Sequence, residues 1–308
     1  MRYHGIMVLR DEGDIIAHTL SHLLTWVDSL HLLDTGSTDG TWETVNEFAR
    51  RDERVRPVAR EEMPFHNGLR AVLFHRVRHA FEDGDWFARL DADEIYHVPP
   101  PRFISDRLAP HESRVFTQHY EFLMTKAQQL AWQAGEGLLA DGSRPIESRL
   151  TRYVVQECPE PRLFKYRRSM RWPETSYVPL RGGLPAIARI PVRHYRWRDP
   201  EQAARRCALR RAARAAGAKT GPHWELANYQ EWLANDDDPR LLSWSPGQPL
   251  PDPALRNHLP PRTRRMALHL LYRTGVARVL DGLDRGGGRS AGLRWPADGL
   301  PQSPHRPR

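Results

Sequence analysis

The sequence is poor in cysteine, in lysine and in long apolar runs. Its 308 residues include 2 cysteines, Cys158 and Cys207, and their separation matches no metal-ligand spacing, so they predict neither a zinc site nor a disulfide framework. No apolar run approaches the roughly 20 residues that span a bilayer. Residues 1–5 lead directly into an apolar strand without a signal-peptide cleavage pattern. We therefore expect a cytoplasmic protein without a membrane-spanning segment.

Positive charge is carried almost entirely by arginine. Lys126, Lys165 and Lys219 are the only lysines, and the formal net charge is +8. Guanidinium groups suit bidentate contacts to phosphate. The arginines are spread along a chain that is also rich in alanine and proline, which indicates a compositional bias and argues against nucleic acid as the main partner. A basic surface also suits a nucleoside diphosphate or the anionic headgroups of a membrane leaflet.

The first 100 residues alternate short apolar strands with amphipathic helices, which is typical of a parallel α/β sheet. The pattern predicts strands at 3–9, 30–33, 55–59 and 86–90, and helices at 14–26, 41–51 and 68–81. The expected fold class is α/β, with a mixed, mainly parallel sheet flanked by helices and a helical C-terminal extension.

An acidic residue ends the second predicted strand. Residues 32–41 read Leu-Leu-Asp-Thr-Gly-Ser-Thr-Asp-Gly-Thr, and the glycines at 36 and 40 permit tight turning. Asp34 lies at the carboxyl end of the strand, which faces the ligand crevice in open α/β sheets. We expect Asp34 to accept a hydrogen bond from a base or ribose. Asp39 is expected to hold the turn or cap the next helix.

Three carboxylates lie within four residues after the fourth predicted strand, at Asp91, Asp93 and Glu94. Like charges this close together are unfavourable unless a cation or a metal–phosphate complex neutralises them. Oxygen ligands favour Mg²⁺ or Mn²⁺. The sequence therefore predicts a divalent metal site at Asp91 and Asp93.

The order and spacing of these motifs resemble glycosyltransferase family 2, whose nucleotide-binding fold is called GT-A. The matching segments are Val8-Leu9-Arg10-Asp11-Glu12, the run 34–41, and Asp91-Ala92-Asp93-Glu94. The resemblance covers residues 1–100. It implies that Asp34 contacts the nucleotide base and that Asp91 and Asp93 hold Mn²⁺ or Mg²⁺ on the diphosphate of a nucleoside-diphosphate sugar.

The resemblance also implies transfer of the sugar, with inversion, to a hydroxyl of a polysaccharide or glycolipid acceptor. Arg10 and Glu12 are expected to border the nucleoside pocket, and Arg70 to contact a phosphate. His194 resembles a late histidine that many GT-A enzymes use as a metal ligand, and it reads equally well as an ordinary strand end.

An inverting enzyme needs a general base near the acceptor hydroxyl. Glu174 is the first candidate and Glu94 the second, although Glu94 is equally suited to orient the metal site. The family often has a tryptophan followed by a His-Glu pair in this region. Here Trp172 and Glu174 are present without the histidine, so the match is partial.

The chain divides into five predicted segments. They are a nucleotide-sugar-binding half (1–100), an acceptor and catalytic half with helices at its end (101–238), a proline-rich linker (239–261), a basic amphipathic helix (262–284) and a disordered tail (285–308). The second half is predicted to contain strands at 114–122, 161–166 and 186–195, and helices at 103–108 and 199–217. Residues 126–160 are expected to form an irregular, acceptor-facing loop.

Two helices leave alternatives open. The arginines of the helix at 199–217 are expected to form a solvated face. The helix at 262–284 either lies peripherally on the inner face of a membrane or docks onto the body of the protein.

Two other functions compete with glycosyl transfer. A nucleotidyltransferase would usually carry a glycine-rich, lysine-containing phosphate loop after the first strand, where this chain has Arg10-Asp11-Glu12-Gly13. The second is a non-catalytic basic module that binds nucleotide or nucleic acid. Titration with nucleotide sugars, with and without Mn²⁺, separates these alternatives, because binding to nucleic acid alone would be strongly salt-sensitive.

Overall fold

The computed structural model describes residues 1–63, 65–156, 159–180, 182–215, 229–252 and 262–276. The strands are β1 Tyr3–Leu9, β2 Ser29–Asp34, β3 Val55–Arg60, β4 Trp86–Leu90, β5 Glu94–Tyr96, β6 Glu112–Phe122, β7 Arg152–Val155, β8 Pro161–Lys165, β9 Leu184–His194 and β10 Leu242–Ser243. The helices are α1 Ile16–Leu23, α2 Thr41–Arg51, α3 Gly68–Val77, α4 Pro100–Arg107, α5 Lys126–Gln133, α6 Ile146–Arg149, α7 Pro200–Ala215 and α8 Arg262–Arg273.

The strands of the described ranges form one mixed sheet. Its order is β10-β7-β6-β8-β4-β1-β2-β3, and β9 pairs with both β5 and β6. Four strand pairs are parallel: β1–β2, β1–β4, β2–β3 and β6–β9. The strands β5, β7, β8 and β10 pair only in antiparallel fashion. The predicted α/β fold with a mixed sheet and flanking helices is confirmed, and its parallel character is concentrated in the first half.

Alternating side chains of β1 build the two faces of the nucleotide-binding half. Met7 and Leu9 pack in one apolar cluster with α1 and α2. Ile6 and Val8 pack in another cluster with α3. Every residue of β1 is buried, which explains why a continuous apolar run was a reliable strand signal here. The predicted strands and helices of residues 1–100 are all present, with end shifts of a few residues.

The prediction of an irregular loop over residues 126–160 is wrong. This stretch contains α5, α6 and β7, and its buried side chains join an apolar cluster with side chains of β5 and β6. Leu139, Ile146 and Leu150 are the buried anchors of the segment. The apolar residues of this stretch follow neither a helical nor a strand period, so their spacing does not predict the helices and the strand that form there.

The C-terminal half ends in two separate helices. The helix predicted at 199–217 is α7, and residues beyond its observed end lie outside the described ranges. The helix predicted at 262–284 begins as expected with α8. Residues 277–284 of that segment, residues 253–261 of the predicted linker and the whole predicted tail lie outside the described ranges, as does Cys158. None of the helices in the described ranges is long and apolar enough to cross a membrane.

Candidate active site

Strands β1, β2 and β4 end at the same edge of the sheet. Leu9 pairs with Asp34, and Met7 pairs with Leu90, in parallel register. The loops that follow parallel strands meet at such an edge, where open α/β sheets bind ligands. The structure therefore brings together five of the predicted site residues, which are Arg10, Glu12, Asp34, Asp91 and Asp93.

The loop after β1 is hydrogen-bonded to the turn before α2. The Asp11 N–H donates to Ser37 Oγ at 2.9 Å, and the Asp11 carboxylate accepts from the Thr38 N–H at 2.7 Å. Asp39 accepts from the Gly13 N–H at 2.8 Å and from the Thr41 hydroxyl at 2.5 Å. Asp39 thus holds the turn, and the two loops form one rigid wall of the site.

Asp34 has one occupied and one unpaired carboxylate oxygen. Oδ1 accepts from the backbone N–H groups of Gly36 at 2.9 Å and Ser37 at 2.8 Å. Oδ2 is buried and has no hydrogen-bond partner among the described residues. The Arg10 guanidinium lies alongside, donating to the Thr35 carbonyl. Because an unsatisfied buried carboxylate oxygen is costly, Oδ2 is the atom of Asp34 best suited to meet a ligand N–H or O–H.

Asp91 lies between two guanidinium groups. Arg70 Nη2 is 2.5 Å from its Oδ1, and Arg162 Nη2 is 2.7 Å from its Oδ2. Burial alone would raise the pKa of Asp91, but Arg162 and Arg70 hold it well below its ordinary value. Both oxygens of this carboxylate are therefore engaged by arginine.

Arg162 is the centre of an acidic cluster beyond Asp91. Its Nη2 also contacts Glu94 Oε1 and lies 3.3 Å from Glu160 Oε2. The fully buried Arg89 contacts Glu160 at 2.7 Å, and His119 Nε2 is 3.1 Å from Glu94. Glu94 is 1% exposed and engaged by two neighbours. This environment favours its orienting role over that of a general base.

Asp93 faces a histidine and a different arginine. Its Oδ2 is 3.5 Å from His194 Nε2 and 2.8 Å from Arg206 Nη1. The second ring nitrogen of His194, Nδ1, is 2.8 Å from Glu121 Oε2. Burial lowers the pKa of His194, but the Glu121 and Asp93 carboxylates outweigh it and raise the pKa to about 10. The imidazole is therefore a cation between two carboxylates at neutral pH.

Asp93 and His194 suit a divalent metal better than Asp91 does. No group of three or more His, Cys, Asp or Glu side chains in the described ranges has metal-binding geometry. However, Mg²⁺ at a phosphate site is typically bound through one or two carboxylates, substrate phosphates and water. His194 presents Nε2 to Asp93 while Glu121 fixes Nδ1, which is how carboxylates orient metal-binding histidines. A metal there would replace the imidazole proton.

Glu174 lies beside the first residues of α3. Its carbonyl oxygen is 2.7 Å from the position that a Cβ on Gly68 would take, and its side chain is exposed. Trp172, by contrast, is buried against Phe74, and its indole N–H donates to the Ser176 carbonyl at 2.9 Å. Of the partial Trp–Glu motif, only Glu174 has an exposed side chain.

The sequence prediction missed the charged partners of the predicted site residues. Arg162, Arg198 and Arg206 pair with their carboxylates, whereas Glu121 pairs with His194 and Glu160 with Arg89 and Arg162. Arg198 is fully buried, 2.8 Å from Asp14 Oδ1 and 2.7 Å from Glu12 Oε2. Arg206 contradicts the prediction of a wholly solvated arginine face on α7, because it reaches Asp93. The position of Arg162 within the apolar run Pro161-Arg162-Leu163-Phe164 could have indicated a buried ion pair, since arginine is rarely buried without a partner.

Comparison with known proteins gives one family match. Residues 6–112 match the family model described as glycosyl transferase family 2. This confirms the predicted resemblance over the segment that carries Asp34, Asp91 and Asp93, and it supports a transferase. No curated protein matches the sequence significantly.

Solved structures give weak similarities. The mannosyltransferase PcManGT from Pyrobaculum calidifontis, in complex with GDP-Man and Mn²⁺, is 15% identical, with 75% of this chain and 70% of that chain covered and a TM-score of 0.39. Residues 1–349 of S. aureus TarS are 11% identical, with 68% and 64% covered and a TM-score of 0.33.

Proposed function

We propose that this chain transfers a sugar from a nucleoside diphosphate to an acceptor hydroxyl, because residues 6–112 match the model of glycosyl transferase family 2. The observation that carries the proposal is the meeting of Asp34, Asp91 and Asp93 at one edge of the sheet, within the matched segment. A polysaccharide or glycolipid is the proposed acceptor.

The donor would lie along the carboxyl ends of β2 and β4. Asp34 Oδ2 is buried without a partner, so it is available to a donor group of the base, with Arg10 beside it. Asp93 and His194 would hold Mn²⁺ or Mg²⁺, whose charge would stabilise the departing diphosphate. Asp91 and Arg162 would fix the adjoining wall, and Arg70 would contact a phosphate from the start of α3.

The reaction proposed is an inverting substitution at the anomeric carbon. The acceptor oxygen forms a bond to that carbon, the bond to the diphosphate oxygen breaks, and the diphosphate leaves with the electron pair. A base must take the hydroxyl proton. Glu174 is the better placed of the two candidates, since its side chain is exposed whereas Glu94 is enclosed by Arg162 and His119.

A screen of nucleotide sugars tests the proposal directly. UDP-, GDP-, ADP- and dTDP-sugars would be added with Mn²⁺, and both thermal stabilisation and release of the nucleoside diphosphate would be measured. We expect one donor class to stabilise the protein and to be turned over. Asp93→Asn should reduce turnover by about a hundredfold or more, because the metal ion loses an anionic ligand and its positive charge is no longer held beside the departing diphosphate.

Asp106→Asn is the matched control for that variant. Asp106 lies on α4, in an exposed ion pair with Arg102, so its change should leave turnover intact. Equal activity of the wild type and Asp93→Asn would contradict the role of Asp93. Failure of all donors to stabilise the wild type or to be hydrolysed would contradict the function itself.

Peripheral membrane association remains part of the proposal. Helix α8 exposes Met266 and Leu270, which lie one helical turn apart. An exposed apolar pair next to arginine-rich sequence is suited to the surface of an anionic leaflet. A cytoplasmic location, at the inner face of the membrane, stays a prediction.

A further inference from the structure

Arg206 of α7 reaches from the C-terminal half into the acidic site. Its Nη1 lies 2.8 Å from Asp93 Oδ2 and 3.7 Å from Glu12 Oε1. Helix α7 is placed for this by its first turn, where the Gln202 N–H donates to the Asp199 carboxylate at 2.8 Å. The Arg206 side chain is 25% exposed, so it also borders the solvent from which a donor would enter.

A second arginine lies one helical turn further along α7. The guanidinium carbons of Arg206 and Arg210 are 6.0 Å and 5.2 Å from the ring centroid of Trp197, so one indole supports both. Burial and the neighbouring charges of Arg206 and Arg196 lower the pKa of Arg210 to about 9. Two guanidinium groups are thus held side by side on one indole, and a phosphate group could accept hydrogen bonds from both.

Arg206 and His194 converge on one carboxylate, that of Asp93. Asp93 Oδ2 faces His194 on one side and Arg206 on the other. A divalent ion at Asp93 would meet the guanidinium of Arg206 as a like charge at short range, which is unfavourable. A diphosphate beside the ion would accept hydrogen bonds from that guanidinium, and Arg–phosphate contacts are among the stronger hydrogen bonds in proteins.

Resting on the function proposed above, we propose that Arg206 and Arg210 bind the diphosphate of the donor, and that Arg206 neutralises Asp93 only while no donor is bound. Arrival of the metal and diphosphate moves the Arg206 guanidinium from the carboxylate to phosphate oxygens. Charge at Asp93 is then balanced in both states. In the donor-bound state, the positive charge of Arg206 lies next to the diphosphate, which is the leaving group of the reaction.

Pyrophosphate is the sharpest probe, because it contains the diphosphate without base or sugar. Its binding in the presence of Mn²⁺ would be measured by calorimetry for the wild type and for Arg206→Gln and Arg210→Gln. We expect the dissociation constant to rise about tenfold or more in Arg206→Gln, since a charge-assisted hydrogen bond is lost. The exposed Arg205, paired at 3.9 Å with Glu201, supplies the control Arg205→Gln, which should bind as the wild type does.

A second measurement addresses the exchange at Asp93. Free Mn²⁺ would be followed by electron paramagnetic resonance during titration without phosphate. Arg206→Gln should bind Mn²⁺ several-fold more tightly than the wild type, because the competing cation is gone. If Arg206→Gln fails to fold, judged by its melting transition, Arg206→Met replaces it in both experiments, because methionine removes the charge and keeps an unbranched side chain.

The outcomes separate this proposal from the function on which it rests. Unchanged pyrophosphate affinity in Arg206→Gln and Arg210→Gln, or no binding by the wild type, would overturn the diphosphate assignment. Unchanged Mn²⁺ affinity would overturn the exchange. Failure of every nucleotide sugar to be bound or hydrolysed, with pyrophosphate binding still dependent on Arg206, would instead count against glycosyl transfer.

Discussion

At the scale of single residues, two aspartates that are two positions apart have different neighbours. Asp91 contacts Arg70 and Arg162, whereas Asp93 contacts His194 and Arg206. The sequence motif suggested a shared task in metal binding. In the structure only Asp93 faces a second residue suited to ligate a metal, so we infer that Asp91 organises the arginines and Asp93 the metal.

This division predicts a large stability loss for Asp91→Asn. Arg70 would lose its contact with a carboxylate and Arg162 would lose one of its three, and removing one partner of a buried ion pair costs about 3–5 kcal/mol. Urea denaturation would measure the change in the free energy of unfolding. Asp106→Asn, in the exposed pair with Arg102, should cost less than about 0.5 kcal/mol. A loss of similar size in both variants would show that Asp91 has no anchoring role.

Sequence reasoning identified the acids but not their partners. Asp34, Asp91 and Asp93 follow apolar strands, and such local signals depend on neighbours in the chain. The contact of Arg206 with Asp93 joins positions 113 residues apart. It depends on how α7 packs after β9, which no local pattern encodes. The surplus of arginine predicted contacts to anions in general without saying which arginines make them.

At the scale of elements, α5 begins with a capping motif that is visible in the sequence. Thr125 Oγ1 accepts from the Gln128 N–H at 3.2 Å, while the Gln128 side chain accepts from the Thr125 N–H at 3.0 Å. This reciprocal capping box is written in the sequence as Thr-x-x-Gln. The motif predicts a helix start within the segment 126–160, which was expected to be an irregular loop. The apolar residues that follow the motif are not spaced with a helical period, so they do not indicate the helix.

The capping box leads to a prediction for the stability of α5. Thr125→Ala removes the hydroxyl that satisfies the Gln128 N–H, and loss of such a cap costs about 1 kcal/mol. Thr125→Ser keeps the hydroxyl and should cost much less. Chemical denaturation of the three proteins would compare them. Equal losses for alanine and serine would mean that the threonine methyl group, and not the cap, is what stabilises this end of the helix.

At the scale of the whole molecule, charged and titratable groups lie at both edges of the sheet. The edge opposite the candidate site carries a buried chain of polar contacts, in which Asp85 Oδ2 is 3.1 Å from His4 Nε2, His4 Nδ1 is 2.8 Å from Ser29 Oγ, and Ser29 Oγ is 3.0 Å from His31 Nε2. Burial lowers the pKa of His4 and, together with Arg56, lowers that of His31 to about 4. Both rings are therefore neutral in the folded protein at neutral pH.

These histidines predict that the protein loses stability in mild acid. The unfolded chain protonates His31 near pH 6.5, whereas the folded chain resists protonation until about pH 4. The free energy of unfolding should therefore fall as the pH decreases from 6.5 to 4, by up to about 3 kcal/mol for His31. Urea denaturation at several pH values would show the slope. His31→Gln should flatten it, while His66→Gln, at an exposed position, should not. An unchanged slope in His31→Gln would mean that the acid sensitivity arises from other groups.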